Sequence, residues 1–425
     1  MVDVKPFRAI RYTSKAGDLS KLIAQPYDKI NEEMQKKYYE QSEYNYCRLT
    51  LPIEENRYEI ARKRLEEWIN KAILEKDPEP ALYIYYQEFE LFGKKYVRKG
   101  FIGALRLHPF EEDIVLPHEK THKGPKIDRL NMLKATKHTL EPGFILYSDP
   151  EKKTISIFDE IAKEKPLIEV VDDLGVVNKV WKLTDPEKIK AVQKVFENQQ
   201  LVIADGHHRY ETACTYRDMR REEAGEWDEN DAFNFRMTYL VPVEDEGLVI
   251  LATHRLLAKV KVEPEVMEEL KEYFEIKELE KEKIPEFLEE NKDKHAFAIY
   301  QDGKAHGLIL KDEKSVEKFV SPEASEDYKK LDVVILRDMI FHGIMKLGEL
   351  HIDDDIFYER WWNKAIERVD KGEVKVAFLL NPTKAEQVLK VAKNHERMPQ
   401  KSTDFYPKMI SGLTMMSLEE GEKLN

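Results

Sequence analysis

The stretch Leu201-Val202-Ile203-Ala204-Asp205-Gly206-His207-His208-Arg209 constrains the fold more than any other part of the chain. Its four leading apolar residues read as a buried strand. Asp205 ends the run, and Gly206 permits a tight turn or the close approach of another group. From Glu211 the sequence ETACTYRDMRREEAG reads as a helix, with Gly225 near its end. A strand passing directly into a helix is the mark of an α/β protein, and its turn is where such proteins commonly hold ligands. The free N–H groups and the helix dipole there favour an anion. His207, His208 and Arg209 add donors, and Arg grips phosphate bidentately. Asp205 is placed to hold a metal or to orient a histidine. The same residues, taken alone, also fit an Asp turn with surface histidines.

The flanking sequence supports a mixed α/β fold. ALYIYYQEFELF and KKYVRKGFIGALRL, joined at Phe92-Gly93, read as a β-hairpin. Residues 55–76 predict an amphipathic helix with Ile60, Leu65, Ile69 and Ile73 on one face. Residues 328–347 predict one strongly apolar helix. At 425 residues the chain exceeds one ordinary core. Its patterning divides it into an α/β region with the hairpin (1–105), a motif-bearing core (106–250), a small α/β module (251–320) and a helix-and-strand region (321–425).

Composition removes several classes of function. A net charge of -13 argues against nucleic-acid binding, which needs a basic surface. No apolar run approaches the roughly 20 residues that span a bilayer. The opening MVDVKPFRAI lacks the apolar core of a secretory signal, so a cytoplasmic location and no membrane partner are expected. Two cysteines, Cys47 and Cys214, make neither a disulfide framework nor a Cys-based zinc site. The Glu- and Lys-rich composition, 36% charged, suits a thermophile. Oligomeric state is left open.

Two further polar clusters stand out. LPHEKTHKGPKIDRL groups His118, Glu119, Lys120, His122, Lys126, Asp128 and Arg129. Its HEKTH matches the zinc-hydrolase pattern HExxH, but Pro117 and Gly124-Pro125 bracket it and argue for a loop or a helix end. MPQKSTDFYPK offers Lys401, Ser402, Thr403 and Lys408 as phosphate ligands. Neither GxxxxGK[ST] nor GxGxxG occurs, so a P-loop or Rossmann nucleotide site is unsupported.

Together the clusters resemble a known arrangement. Pro117-His118-Glu119, then Asp205 to Arg209, then Lys401-Ser402-Thr403 follow the order found in archaeal free-serine kinases of the ParB/sulfiredoxin-like superfamily. Over its whole length the chain resembles the microbial "domain of unknown function 1015" family, through AQPYDKI, HEKTHKGPKIDRL, IADGHHRYETA and MPQKSTDFYPK. It departs from the kinases in its extra region before residue 105, a longer spacer between Glu119 and Asp205, and Ser402 where they have Thr. The resemblance implies a ParB-like core and a kinase for a free hydroxy amino acid, L-serine first, using ATP or ADP with Mg²⁺. It implies Glu119 as general base, assisted by His118. Asp205 would orient the hydroxyl or a histidine, or help hold Mg²⁺, and it stays open as an alternative base. Gly206, His207, His208, Arg209, Lys401, Ser402, Thr403 and Lys408 would hold phosphate, with Lys126 and Arg129 in support. Tyr27 and Asp28 would meet the substrate ammonium. The competing readings are a non-catalytic nucleotide-binding regulator and a zinc-dependent hydrolase.

Overall fold

A computed structural model describes residues 1–119 and 123–424 of this mixed α/β chain. Of the described residues, one unit contains 1–117, 123–249 and 407–424, and a second contains 118–119 and 250–406.

The first unit is built on a nine-stranded mixed sheet. Across the sheet run Val115–Leu116, Leu201–Asp205, Gly143–Tyr147, Phe235–Pro242, Lys94–Arg106, Leu82–Leu91, Val177–Leu183 and Ile168–Val171. Val4–Lys5 pairs beside Lys94–Arg106. Leu201–Asp205 lies parallel to Val115–Leu116 and antiparallel to Gly143–Tyr147. The expected hairpin is present, with Leu91 opposite Lys94. Phe92 and Gly93 both take positive φ, 50° and 76°, as a two-residue turn matched to strand twist requires. Tyr83, Tyr85 and Tyr86 are buried in it, and their hydroxyls reach Asp77, Asn178 and Asp159. Those bonds let the phenols stay inside. One core gathers Leu82, Ile84, Phe101, Tyr147, Phe158, Phe196, Ile203 and Tyr210.

The predicted helix forms over Arg57–Asn70, but its buried face is Ala61, Leu65 and Trp68. Ile60 is only half-buried and Ile69 is exposed. Ile73 is buried beyond the helix end. The Trp68 indole carries more apolar area than Ile69 and takes the core side, where it meets Tyr12 and Tyr44.

The second unit carries a six-stranded antiparallel sheet: Phe274–Leu279, Lys304–Leu310, Ala296–Gln301, Val376–Leu380, His254–Leu257 and Ile356–Glu359. The apolar segment 328–347 is not one helix. Leu331 takes an extended conformation between Glu326–Lys329 and Asp332–Val334, and Ile335–Ile344 is a π-helix. Gly343 lies so close to the Phe319 ring that a Cβ would come within 2.3 Å of it. Among the described residues no helix is long and apolar enough to cross a membrane.

Candidate functional site

The first unit contains the strand–turn–helix read from the sequence. Leu201–Asp205 ends at Gly206, which has φ 84° and ψ 34°, and the helix His207–Ala224 follows at once. The Gly206 N–H donates to Asp205 Oδ1 at 2.7 Å. Lys408 Nζ lies 3.1 Å from Asp205 Oδ2. His207 and Arg209 are buried and His208 is half-buried. A Cβ on Gly206 would meet Arg209 Nε and Nη2 at 3.0 Å, so the turn leaves room for the guanidinium. Gly206→Ala is therefore expected to cost about 1–2 kcal/mol from the left-handed backbone alone. Urea unfolding measures that cost, and phosphate or nucleotide affinity reports the displaced Arg209.

Burial by itself would raise the Asp205 pKa. Lys408 first, then Arg209 and Lys29, outweigh it and hold the carboxyl far below the usual range. A depressed acid pKa contributes stability that is complete above the unfolded value of about 3.9 and is lost as pH falls. Asp205→Asn should remove this acid-side dependence. Stability compared between pH 5 and 2 is expected to fall less steeply in the variant than in the wild type.

Glu141 was not anticipated from the sequence. It is 6% exposed. Its carboxylate accepts from the Tyr27 N–H at 3.1 Å and the Ser411 hydroxyl at 2.6 Å, and lies 3.6 Å from Arg209 Nη1. Arg236 donates to the Glu141 carbonyl at 3.1 Å. Burial, then the charge of Arg209, pushes Arg236 down to about 9. Burial opposes the charge on Arg209, but Glu141, Asp28 and Asp205 keep it firmly protonated. The AQPYDKI segment thus sits beside Arg209, and Lys29, the cation within it, also acts on Asp205. A Glu-Pro-Gly directly before the apolar strand FILY was the available signal for Glu141.

Other predicted side chains of this unit are engaged in structure. The helix Lys123–Thr136 holds Gly124 and Pro125 in its first turn, in keeping with the expected helix end at this motif. A proline in a first turn removes no helical hydrogen bond. Lys126 pairs with Glu211 at 2.9 Å, joining this helix to His207–Ala224. Arg129 bonds Asp128 and the Thr50 carbonyl, and stacks 3.8 Å from the Tyr27 ring centroid. The Lys408 backbone is fixed by Gln87, which donates to its carbonyl at 3.1 Å. Beside it the fully buried Arg98 donates to Pro407 O at 2.7 Å.

The second unit joins the other two motifs. Glu119 bridges to Met398 in parallel, and the Met398 N–H donates to the His118 carbonyl at 2.8 Å. The Lys401 N–H donates to Glu119 Oε1 at 2.5 Å, and His118 Nε2 lies 2.9 Å from Thr403 Oγ1. Lys401 has φ 57°, a left-handed conformation that directs its N–H at the carboxylate. Arg255 Nη2 donates to the Lys401 carbonyl at 3.1 Å. Ser402 is buried, and its hydroxyl is spent on Pro399 O. Neither Glu141 nor Arg255 belongs to a motif; Arg255 is a lone cation inside the apolar strand HRLL.

The zinc reading does not survive this geometry. HExxH needs both histidines on one helix. Neither His118 nor Glu119 is helical, Glu119 forms a β-bridge to Met398, and His118 has its Nε2 turned to Thr403. His122 and Lys120 lie outside the described residues. Among the described residues no three His, Cys, Asp or Glu side chains gather to hold a metal. Nor does Asp205 form a Mg²⁺ site: its oxygens take the Gly206 N–H and Lys408, and the charges acting most strongly on it are cationic. This environment fits phosphate oxygens.

The fold and these clusters define a two-unit α/β protein with a cationic strand-to-helix turn. The model of the family described as Protein of unknown function (DUF1015) matches residues 4–334, and the chain belongs to that family. No curated protein matches it. Among solved structures, a free serine kinase in complex with AMP is 14% identical with a TM-score of 0.33, covering 71% of this chain and 89% of its own. A conserved hypothetical protein from Pyrococcus furiosus is 16% identical with a TM-score of 0.31, covering 71% and 93%. SbnI from Staphylococcus aureus, truncated at its C-terminus, is 9% identical with a TM-score of 0.35, covering 76% and 90%.

Proposed function

We propose that the protein is a nucleotide-dependent kinase that phosphorylates a free hydroxy amino acid, L-serine first. The observation that carries this reading is the meeting of Glu119 and His118 with Lys401 and Thr403, 282 residues away in sequence from Glu119 to Lys401. The Lys401 backbone N–H fixes the Glu119 carboxylate, and a carboxylate held in place and within reach of a hydroxyl can act as general base in phosphoryl transfer. The motif order gives each group a task. The serine hydroxyl oxygen attacks the terminal phosphorus of the nucleotide. A new P–O bond forms, the bond to the bridging oxygen breaks, and the proton passes to Glu119. ATP leaves as ADP, or ADP leaves as AMP. In the second unit, Lys401 and Thr403 beside Glu119 are the candidates to stabilise charge on the phosphoryl oxygens; in the first unit, Gly206, His207, His208, Arg209 and Lys408 form a separate set of donors suited to phosphate. Asp205 is a poor base, because Lys408 and Arg209 stabilise its ionised form strongly; its role is to orient the cations.

The test is a phosphoryl-transfer screen of L-serine, L-threonine and L-homoserine with ATP or ADP and Mg²⁺. Transfer to L-serine exceeding the others supports the assignment. Transfer only to another acceptor revises the substrate, and nucleotide binding without any transfer favours a non-catalytic regulator.

A further inference from the structure

The second unit contains a cavity of about 500 Å³ that the kinase reading does not use. That volume lies in the range of small-molecule sites. Leu336, Phe341, Ile356 and Tyr358 form an apolar wall, and Pro399-Gln400, directly before Lys401, close another side. Arg255 lines the same space and is 5% exposed. Among the described residues no ion pair holds it. It donates to two backbone carbonyls, Thr253 O and Lys401 O, and the Tyr358 ring centroid lies 5.5 Å away. A guanidinium has five N–H donors and retains its charge when buried. Glu119 bears on the Arg255 charge from a distance and Glu349 lines the cavity, but neither pairs with the guanidinium, and Arg337 adds a second cation to the lining. A nearly buried cation with no direct carboxylate partner beside an apolar wall is complementary to an anion with an apolar body.

We propose that this cavity binds a small anion with an apolar or aromatic body, the anionic group on Arg255 and the body against Leu336, Phe341 and Tyr358. The inference stands apart from the kinase reading. It does bear on the neighbouring carboxylate: the ligand competes with the Lys401 carbonyl for Arg255, and Lys401 holds Glu119.

The probe is anilinonaphthalene sulfonate, an aromatic anion, titrated by fluorescence into the full chain. Arg255→Met should weaken its saturable binding about 10–100-fold, as loss of a charge-assisted hydrogen bond does. Arg255 also supports Lys401, so a second variant avoids the interior. Gly348 lines the cavity, and a Cβ there meets nothing within 4 Å. Gly348→Phe fills the space from the rim and should weaken the probe about tenfold. Wild-type affinity in either variant, or no saturable binding by the wild type, overturns the proposal. Displacement of the probe by ADP would identify the aromatic anion as a nucleotide. Retention of the probe at saturating ADP would identify a separate apolar anion. Both results keep the site.

Discussion

Glu119→Gln is expected to lower phosphoryl transfer to L-serine by about 10²–10⁴-fold, the usual contribution of a general base. The amide keeps a carbonyl oxygen where Oε1 accepts the Lys401 N–H, so the local fold should persist. What disappears is the lone pair that takes the serine proton. Nucleotide affinity, measured by calorimetry, should remain close to that of the wild type, because the phosphate ligands are untouched. A fall in kcat with little change in nucleotide Kd separates a chemical role from a structural one. Unchanged turnover would remove Glu119 from the mechanism.

Glu141→Ala is expected to cost about 3–5 kcal/mol in stability of the first unit, as breaking a buried charge pair does. Arg209 and Arg236 are both buried, and each already raises the cost of the other's charge or has its charge opposed by burial. Glu141 is the anion that offsets this most on Arg209. Its loss also strands the Tyr27 N–H and the Ser411 hydroxyl. Denaturant unfolding checks the magnitude. Glu141→Gln keeps acceptors for both donors and removes only the charge, so it should fall between alanine and wild type. A variant as stable as the wild type would show that Arg209 finds its countercharge in Asp205 and Asp28 alone.

Much of the fold was legible where side-chain pattern and backbone demand coincide. Phe92-Gly93 between aromatic runs gave the hairpin, and Asp205-Gly206 gave the strand-to-helix turn. Legibility failed where packing chose among equally apolar residues. Trp68 displaced Ile69 from the core face by its size, and the 328–347 run divided where Leu331 extends. In the site, residues inside motifs were found and their partners outside were not. Glu141 and Arg255 are single charged residues in apolar surroundings, and only folding reveals that Arg209 and Lys401 are what they serve. Ser402 shows the opposite case: a motif residue whose hydroxyl closes a turn. Sequence cannot distinguish a hydroxyl aimed at phosphate from one aimed at its own backbone.

The central claim is phosphoryl transfer to the serine hydroxyl. Purified full-length protein in excess over nucleotide, with L-serine and Mg²⁺, can be followed through a single turnover by phosphorus NMR, with ATP and ADP tested separately. The account predicts a new phosphomonoester signal identical to O-phospho-L-serine with at least one of the two donors, and its loss in Glu119→Gln. Bound nucleotide that persists with no O-phospho-L-serine from either donor would contradict it.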